Sequence, residues 1–166
     1  MMKLNKSIIG MIHLSGNNSV DRALEEIKIY EEEGLHGIII ENYHGTTDDI
    51  IETLQCVDTK MKVGINILPN NYDEAFINAS FYKADFIQLD HISGTGKSTP
   101  LEKIISFKEI LKGFPLIIGA GLNTENVSEQ MLYADGAIVG SAFKPNGDTT
   151  KFVDSRLVNK FMKKLI

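Results

Sequence analysis

Acidic, imidazole and amide side chains recur where apolar runs of this sequence end. They are His13, Glu41, Asn42, Asn66, Asp90 and His91. Carboxylates and imidazoles transfer protons near neutral pH, particularly when burial raises the pKa of a carboxylate. Side-chain amides suit the orientation of sugar hydroxyls. The pattern therefore predicts an acid/base site, with Glu41, Asp90, His13 and His91 as catalytic candidates and Asn42 and Asn66 as ligand-binding candidates.

A second chemical signal lies in residues 114–144, where two apolar runs each end in a glycine turn. The turns are Gly119-Ala120-Gly121 and Gly140-Ser141, and a helix is expected to begin near Asn123-Thr124. Free backbone N–H groups and the helix dipole favour anions at such positions. We therefore predict a phosphate site made by Gly119, Gly121, Asn123, Gly140 and Ser141.

Both groups of residues must be positioned by a repeat of strands and helices. Apolar runs alternate with segments of helical periodicity, and this order indicates a parallel sheet covered by helices. The clearest expected strands are 7–14, 36–40, 62–68, 85–89 and 136–139, and helix starts are expected at Thr46, Asn71 and Thr99, with a last helix over about 151–164. The carboxyl ends of parallel strands open on one face, so the polar candidates and glycine turns should meet there.

The order of the turns distinguishes two parallel architectures. An open doubly wound sheet normally carries its glycine-rich turn after the first strand, whereas here the phosphate-type turns come last. This favours a (βα) TIM-barrel-like α/β fold of about six βα units in one domain, residues 1–166. The standard barrel has eight units. Either six strands close the barrel, or it stays open and a second copy covers the exposed edges; we expect a homodimer.

Composition and short motifs narrow the functional classes. A formal charge of −5 argues against nucleic-acid binding, and no apolar run approaches the length of a membrane span. The N-terminus lacks a small-residue cleavage site, so a cytoplasmic location is expected. No cofactor is predicted, and no metal either, because His13, Glu41, Asp90 and His91 lack the short spacing of a metal motif.

Ser93–Thr99, SGTGKST, resembles a nucleotide-binding P-loop only superficially. The first glycine of that motif would fall at His91. We interpret the segment as a loop that ends in the Thr99 helix cap, with Lys97 as a candidate cation for an anionic ligand.

The sequence resembles the BtpA family in several segments taken in order. They are Ile9–Leu14, Gly37–Asn42, Val63–Leu68, Ala84–Ile87, Gly119–Val127 and Ala134–Ser141. The resemblance implies a TIM-barrel-like, phosphate-binding fold. It also implies an internal deletion, because family members carry two more βα units, the fifth and sixth, where this chain has only residues 92–113. The loop after His13-Leu14 is shorter too.

Two functions follow as hypotheses. The first is an enzyme acting on a small phosphorylated ligand, such as a sugar phosphate or nucleotide, by isomerisation, elimination or glycosidic-bond cleavage. The alternative is a non-catalytic binding or assembly factor that keeps the phosphate site.

Overall fold

The computed structural model describes residues 6–67, 86–89, 98–110 and 116–165. Six parallel strands form one sheet: β1 Ser7–Ser15, β2 Gly37–His44, β3 Lys62–Ile67, β4 Phe86–Leu89, β5 Ile117–Ile118 and β6 Gly136–Val139. The helices are α1 Ser19–Glu32, α2 Thr47–Cys56, α3 Leu101–Ile110, α4 Val127–Gln130 and α5 Ser155–Met162, and two 3₁₀ turns span Ser141–Phe143 and Pro145–Gly147. The described residues thus confirm a parallel α/β repeat.

The strand order is β4-β3-β2-β1-β6-β5. On one side of β1 lie β2, β3 and β4 in that order, and on its other side lie β6 and then β5. This cyclic order is that of a TIM-barrel-like sheet, because a doubly wound sheet reverses direction after its first strands. The first and last strands are therefore neighbours, and they bring the two ends of the chain's repeat together.

Side chains from the sheet and the helices share one apolar core. Three aromatic rings lie in this core. The ring centroid of Phe143 is 5.6 Å from that of Tyr30 in α1 and 5.1 Å from that of Phe161 in α5. Gly10 of β1 is needed under this cluster, since a Cβ there would lie 2.6 Å from the Tyr30 ring and 2.8 Å from Leu35. This close approach fixes α1 against the first strand.

The capping chemistry of α2 agrees with its sequence. The Thr46 hydroxyl accepts from the Asp49 N–H, and the Asp49 carboxylate accepts from the Thr46 N–H. This is a capping box, the reciprocal arrangement that satisfies N–H groups at a helix start. The position of Thr46 at the helix start is confirmed.

Three expected boundaries were wrong. Strand β2 continues past residue 40 to His44, because Ser15 of β1 pairs with His44 beyond an irregularity at His13. The helix expected near Asn123 begins at Val127. Its delay has a local cause: Asn123 and Asn126 side chains accept the nearby N–H groups and compete with helix formation. The last helix begins at Ser155, capped by Asp154.

Two further sequence expectations concern other parts of the chain. The helix expected after Asn71 lies outside the described residues. In the part of the chain that is described, no helix combines the length and apolar character needed to cross a membrane.

Candidate functional site

His13 and Glu41 meet at the carboxyl ends of the two central strands. The register of β1 and β2 places the two residues opposite each other, and His13 Nε2 lies 3.2 Å from Glu41 Oε1. Both side chains are buried, with relative exposures of 7% and 6%. Two catalytic candidates from separate βα units are therefore in hydrogen-bonding distance.

Burial decides the protonation state of His13. It lowers the pKa of the imidazole to about 3, and the positive charges of Lys144, His44 and Arg22 act in the same direction. The nearby Glu41 carboxylate would favour a protonated imidazole, but removal of the ring from water outweighs this attraction. At neutral pH His13 is thus uncharged.

Gly140, directly after β6, lies against the same imidazole. A Cβ on Gly140 would be 2.7 Å from His13 Cε1 and 3.1 Å from Met11 Cβ, so no side chain fits without displacement. The 3₁₀ turn Ser141–Phe143 begins at the next residue. The structure therefore places one predicted phosphate-binding turn beside two of the predicted catalytic candidates, His13 and Glu41.

The other glycine turn is held by side-chain amides. Gly121 adopts a φ of +76°, a conformation that favours glycine, and its carbonyl accepts from Asn126 Nδ2 at 3.0 Å. The Asn123 N–H donates to Asn126 Oδ1 at 2.8 Å. Asn126 Nδ2 also donates to Ser98 Oγ at 3.1 Å, so this turn lies next to the end of the Ser93–Thr99 segment. Among the described residues, no heavy atom lies within 4 Å of a Cβ placed on Gly119.

The remaining candidates are only partly located. Asn42 is buried in β2, and its Oδ1 has no hydrogen-bond partner among the described residues. The backbone of Asn66 pairs with Gln88 in the β3–β4 register. Asp90, His91 and Lys97 lie outside the described residues. Within the described ranges, no three His, Cys, Asp or Glu residues are grouped to hold a metal ion.

Sequence reasoning missed a buried charged cluster beside this site. Lys144 donates to both carboxylate oxygens of Glu26, at 2.8 and 3.0 Å, and Arg22 donates to the same carboxylate. The sequence contained one signal of this cluster. Glu26 stands three residues after Ala23 and four before Tyr30, so a charged residue occupies the inward face of α1.

Solved structures identify the class of fold. Phosphoribosyl anthranilate isomerase, in complex with a reduced carboxyphenylamino-deoxyribulose 5-phosphate, matches with a TM-score of 0.67 and 14% identity, over 96% of this chain and 98% of that one. The (S)-3-O-geranylgeranylglyceryl phosphate synthase of Thermoplasma acidophilum, in complex with sn-glycerol-1-phosphate, matches with a TM-score of 0.61 and 11% identity, over 97% and 93% of the chains. The protein thus has a TIM-barrel-like fold.

Sequence comparisons confirm the predicted resemblance to the BtpA family. The BtpA family model matches residues 91–166, a range that contains both glycine turns. SgcQ of Escherichia coli is 34% identical over 73 residues, which are 44% of this chain and 26% of SgcQ. The uncharacterized protein MJ1115 of Methanocaldococcus jannaschii is 24% identical over 238 residues, covering 90% of this chain and 91% of that protein.

Proposed function

We propose that this protein binds a small phosphorylated ligand at the carboxyl ends of its strands and performs acid/base chemistry on it. The observation that carries the proposal is the contact between Gly140 and His13, with Glu41 at 3.2 Å from the imidazole. A phosphate on the Gly140–Ser141 turn would hold the rest of the ligand beside a neutral imidazole and a carboxylate. In sugar phosphates and nucleotides the phosphate can bind the protein while another part of the molecule reacts.

The phosphate would be held by backbone N–H groups of Gly119, Gly121, Asn123, Gly140 and the Ser141 hydroxyl. The fold supports this placement, since the last two loops of TIM barrels are a frequent phosphate site. The phosphorylated ligands named for the two structural neighbours support the ligand class. In the described structure the Asn123 N–H is engaged by Asn126, so binding there requires exchange of that hydrogen bond.

The reaction class follows from the groups beside the anchor. The negative charge of a bound phosphate would raise the pKa of His13. The neutral ring could then accept a proton, while the Glu41 carboxylate orients the ring and stabilises the imidazolium that forms. Asp90 or His91 would supply the complementary acid, and Asn42, Asn66 and Lys97 would hold the ligand. Such groups suit an isomerase, a lyase or an enzyme that cleaves a glycosidic bond.

A thermal-shift screen of phosphorylated metabolites tests the ligand class first. A ligand at 100 times its dissociation constant adds about 2.7 kcal/mol to the free energy of unfolding, enough for a clear shift. With a substrate found, His13→Gln and Glu41→Gln should each lower kcat by about 10²-fold or more. Wild-type turnover in both variants would refute the acid/base roles.

A second candidate, a binding or assembly factor without catalysis, is supported by the size of the chain. The alignment with MJ1115 spans 238 positions, whereas this chain has 166 residues, so at least 72 positions of the alignment face a gap. We infer that the gap corresponds to the family's fifth and sixth βα units. Loss of two units would remove part of the wall that encloses a reacting ligand. Ligand binding with no turnover, and no effect of Glu41→Gln on affinity, would favour this function.

The shortened repeat also motivates a proposal about assembly and location. A homodimer of single-domain chains, working in the cytoplasm, would allow each copy to cover the sheet edges of the other. Light scattering tests the dimer, and a strictly monomeric mass at micromolar concentration would require the edges to be covered within one chain.

A further inference from the structure

Buried charged side chains join α1 to the segment that follows β6. Lys144 Nζ donates to both oxygens of Glu26, and the same carboxylate accepts from the Val153 N–H at 3.0 Å. Lys144 is 1% exposed and Glu26 0%. Removing charges from water is costly unless they are paired and hydrogen-bonded, so this arrangement constrains the backbone around it.

Arg22 extends the same connection. Its Nε and one terminal nitrogen lie 3.2 Å from Glu26 Oε1, and its other terminal nitrogen donates to the Thr150 carbonyl at 2.7 Å. The terminal nitrogen that lies near Glu26 also donates to the Lys151 carbonyl. Helix α1 therefore holds the segment between Lys144 and Val153 at both ends, with three contacts near its C-terminal end.

This segment begins at the proposed phosphate turn. The Phe143 N–H donates to the Gly140 carbonyl and the Lys144 N–H donates to the Ser141 carbonyl, both at 3.0 Å. A displacement of Lys144 would thus be transmitted through a tight 3₁₀ turn to Gly140. Gly140 has little room to move towards His13, because a Cβ added to it would lie only 2.7 Å from His13 Cε1.

We propose that Lys144 is a positioning residue for the ligand site: paired with Glu26, it holds the Gly140–Ser141 turn against His13. The inference rests on the proposed function for the identity of the ligand, while the positioning itself is a property of the fold. Glu41 of β2 lies 3.2 Å from His13, and the other titratable groups that act on His13 electrostatically are His44 of β2, Arg22 of α1 and Lys144. Because the Lys144 ammonium is buried, it would affect the ligand site through the Gly140–Ser141 turn rather than by contact with the ligand.

Lys144→Met tests the inference because it keeps an unbranched apolar side chain, one atom shorter than that of lysine, and removes the charge. Glu26 keeps Arg22 and the Val153 N–H as partners in this variant. Lys151→Met is the matched control: Lys151 is an exposed lysine of the same segment, and Arg22 contacts its carbonyl rather than its side chain.

Two measurements are made on each variant. Inorganic phosphate is titrated and followed by amide NMR shifts, and the nuclear Overhauser effect (NOE) between His13 Hε1 and the Gly140 Hα protons reports their distance. We expect Lys144→Met to weaken phosphate binding about tenfold, a loss of about 1.4 kcal/mol, and to remove most of the NOE intensity. Lys151→Met should change neither.

A merely structural role would lower the unfolding midpoint of Lys144→Met while leaving the NOE and the phosphate affinity of the folded protein unchanged, and this result would overturn the inference. If the wild-type protein binds no phosphate, the proposed function fails, and the NOE alone decides the positioning role. If Lys144→Met does not fold, Glu26→Gln, which preserves the side-chain volume, undergoes the same measurements. A wild-type NOE in that variant would also overturn the inference.

Discussion

Two buried contacts between an acid and a base lie at the same end of the sheet, and they differ in what burial does to the base. At His13–Glu41, burial lowers the pKa of the imidazole to about 3, so the ring is neutral at physiological pH. At Lys144–Glu26, burial also lowers the pKa of the lysine, but the charge and hydrogen bonds of Glu26 oppose that shift. The first base is uncharged and the second is held as an ion pair.

The difference suggests a division of labour between neighbouring regions. A neutral imidazole in contact with a carboxylate can accept a proton once a bound anion raises its pKa, which suits acid/base chemistry. An ammonium that donates to both oxygens of one carboxylate is fixed in place, which suits positioning. Similar burial and similar residue types therefore support different roles, because burial dominates at His13 whereas the charge and hydrogen bonds of Glu26 oppose it at Lys144.

The largest expected effect comes from breaking the ion pair. Glu26→Ala should lower the free energy of unfolding by about 3–5 kcal/mol, because it leaves the Lys144 ammonium buried without its partner. Urea denaturation followed by circular dichroism measures the change. Glu25→Ala, at an exposed neighbouring position, should stay within about 0.5 kcal/mol of wild type. Equal effects of the two substitutions would contradict the role assigned to the pair.

Gly140→Ala tests how closely the turn that leads to Lys144 packs against the His13–Glu41 contact. Its Cβ would lie 2.7 Å from the His13 ring, and overpacking of this kind costs about 1–3 kcal/mol of stability. Gly119→Ala is the control from the other glycine turn, where a Cβ meets no heavy atom of the described part of the chain within 4 Å. Thermal unfolding compares the two variants, and a destabilised Gly119→Ala with an unaffected Gly140→Ala would reverse the expected order.

The neutral state of His13 predicts a dependence of stability on pH. The pKa of His13 is about 3 in the folded protein and 6.5 in the unfolded chain, so the unfolded chain binds the extra proton as the pH falls below 6.5. Stability from this residue is complete above pH 6.5 and is lost towards pH 3, with a slope approaching about 1.4 kcal/mol per pH unit. Urea denaturation between pH 7.5 and 5 should show the slope in the wild type and a reduced slope in His13→Gln.

The smallest effect expected is at the cap of α2, outside both regions. Thr46→Ala removes the hydroxyl that accepts the Asp49 N–H and should cost about 1 kcal/mol. Combined with Glu26→Ala, the two losses should add to within about 0.5 kcal/mol, because the sites share no partner among the described residues. Strong non-additivity in chemical denaturation would show that the ion pair is coupled to more of the fold than its contacts indicate.

Much of the site was accessible to sequence reasoning because its placement follows from strand periodicity. His13 and Glu41 each end an apolar run, and parallel strands bring such ends to one edge. The start of α4 was misplaced although its cause is local: Asn123 and Asn126 use their side chains to hold a turn, and helical periodicity does not reveal such competition.

By itself, the sequence determined the parallel repeat, the cap at Thr46 and the residues at the strand ends, since these depend on neighbours a few positions away. Only the tertiary structure decided that Gly140 lies against His13 and that Lys144 reaches Glu26, 118 residues earlier. Contacts at that separation depend on how β6 pairs with β1 and how α1 packs against β1. The register of the sheet and the packing of the core set those distances, and neither can be predicted from a local pattern of residues.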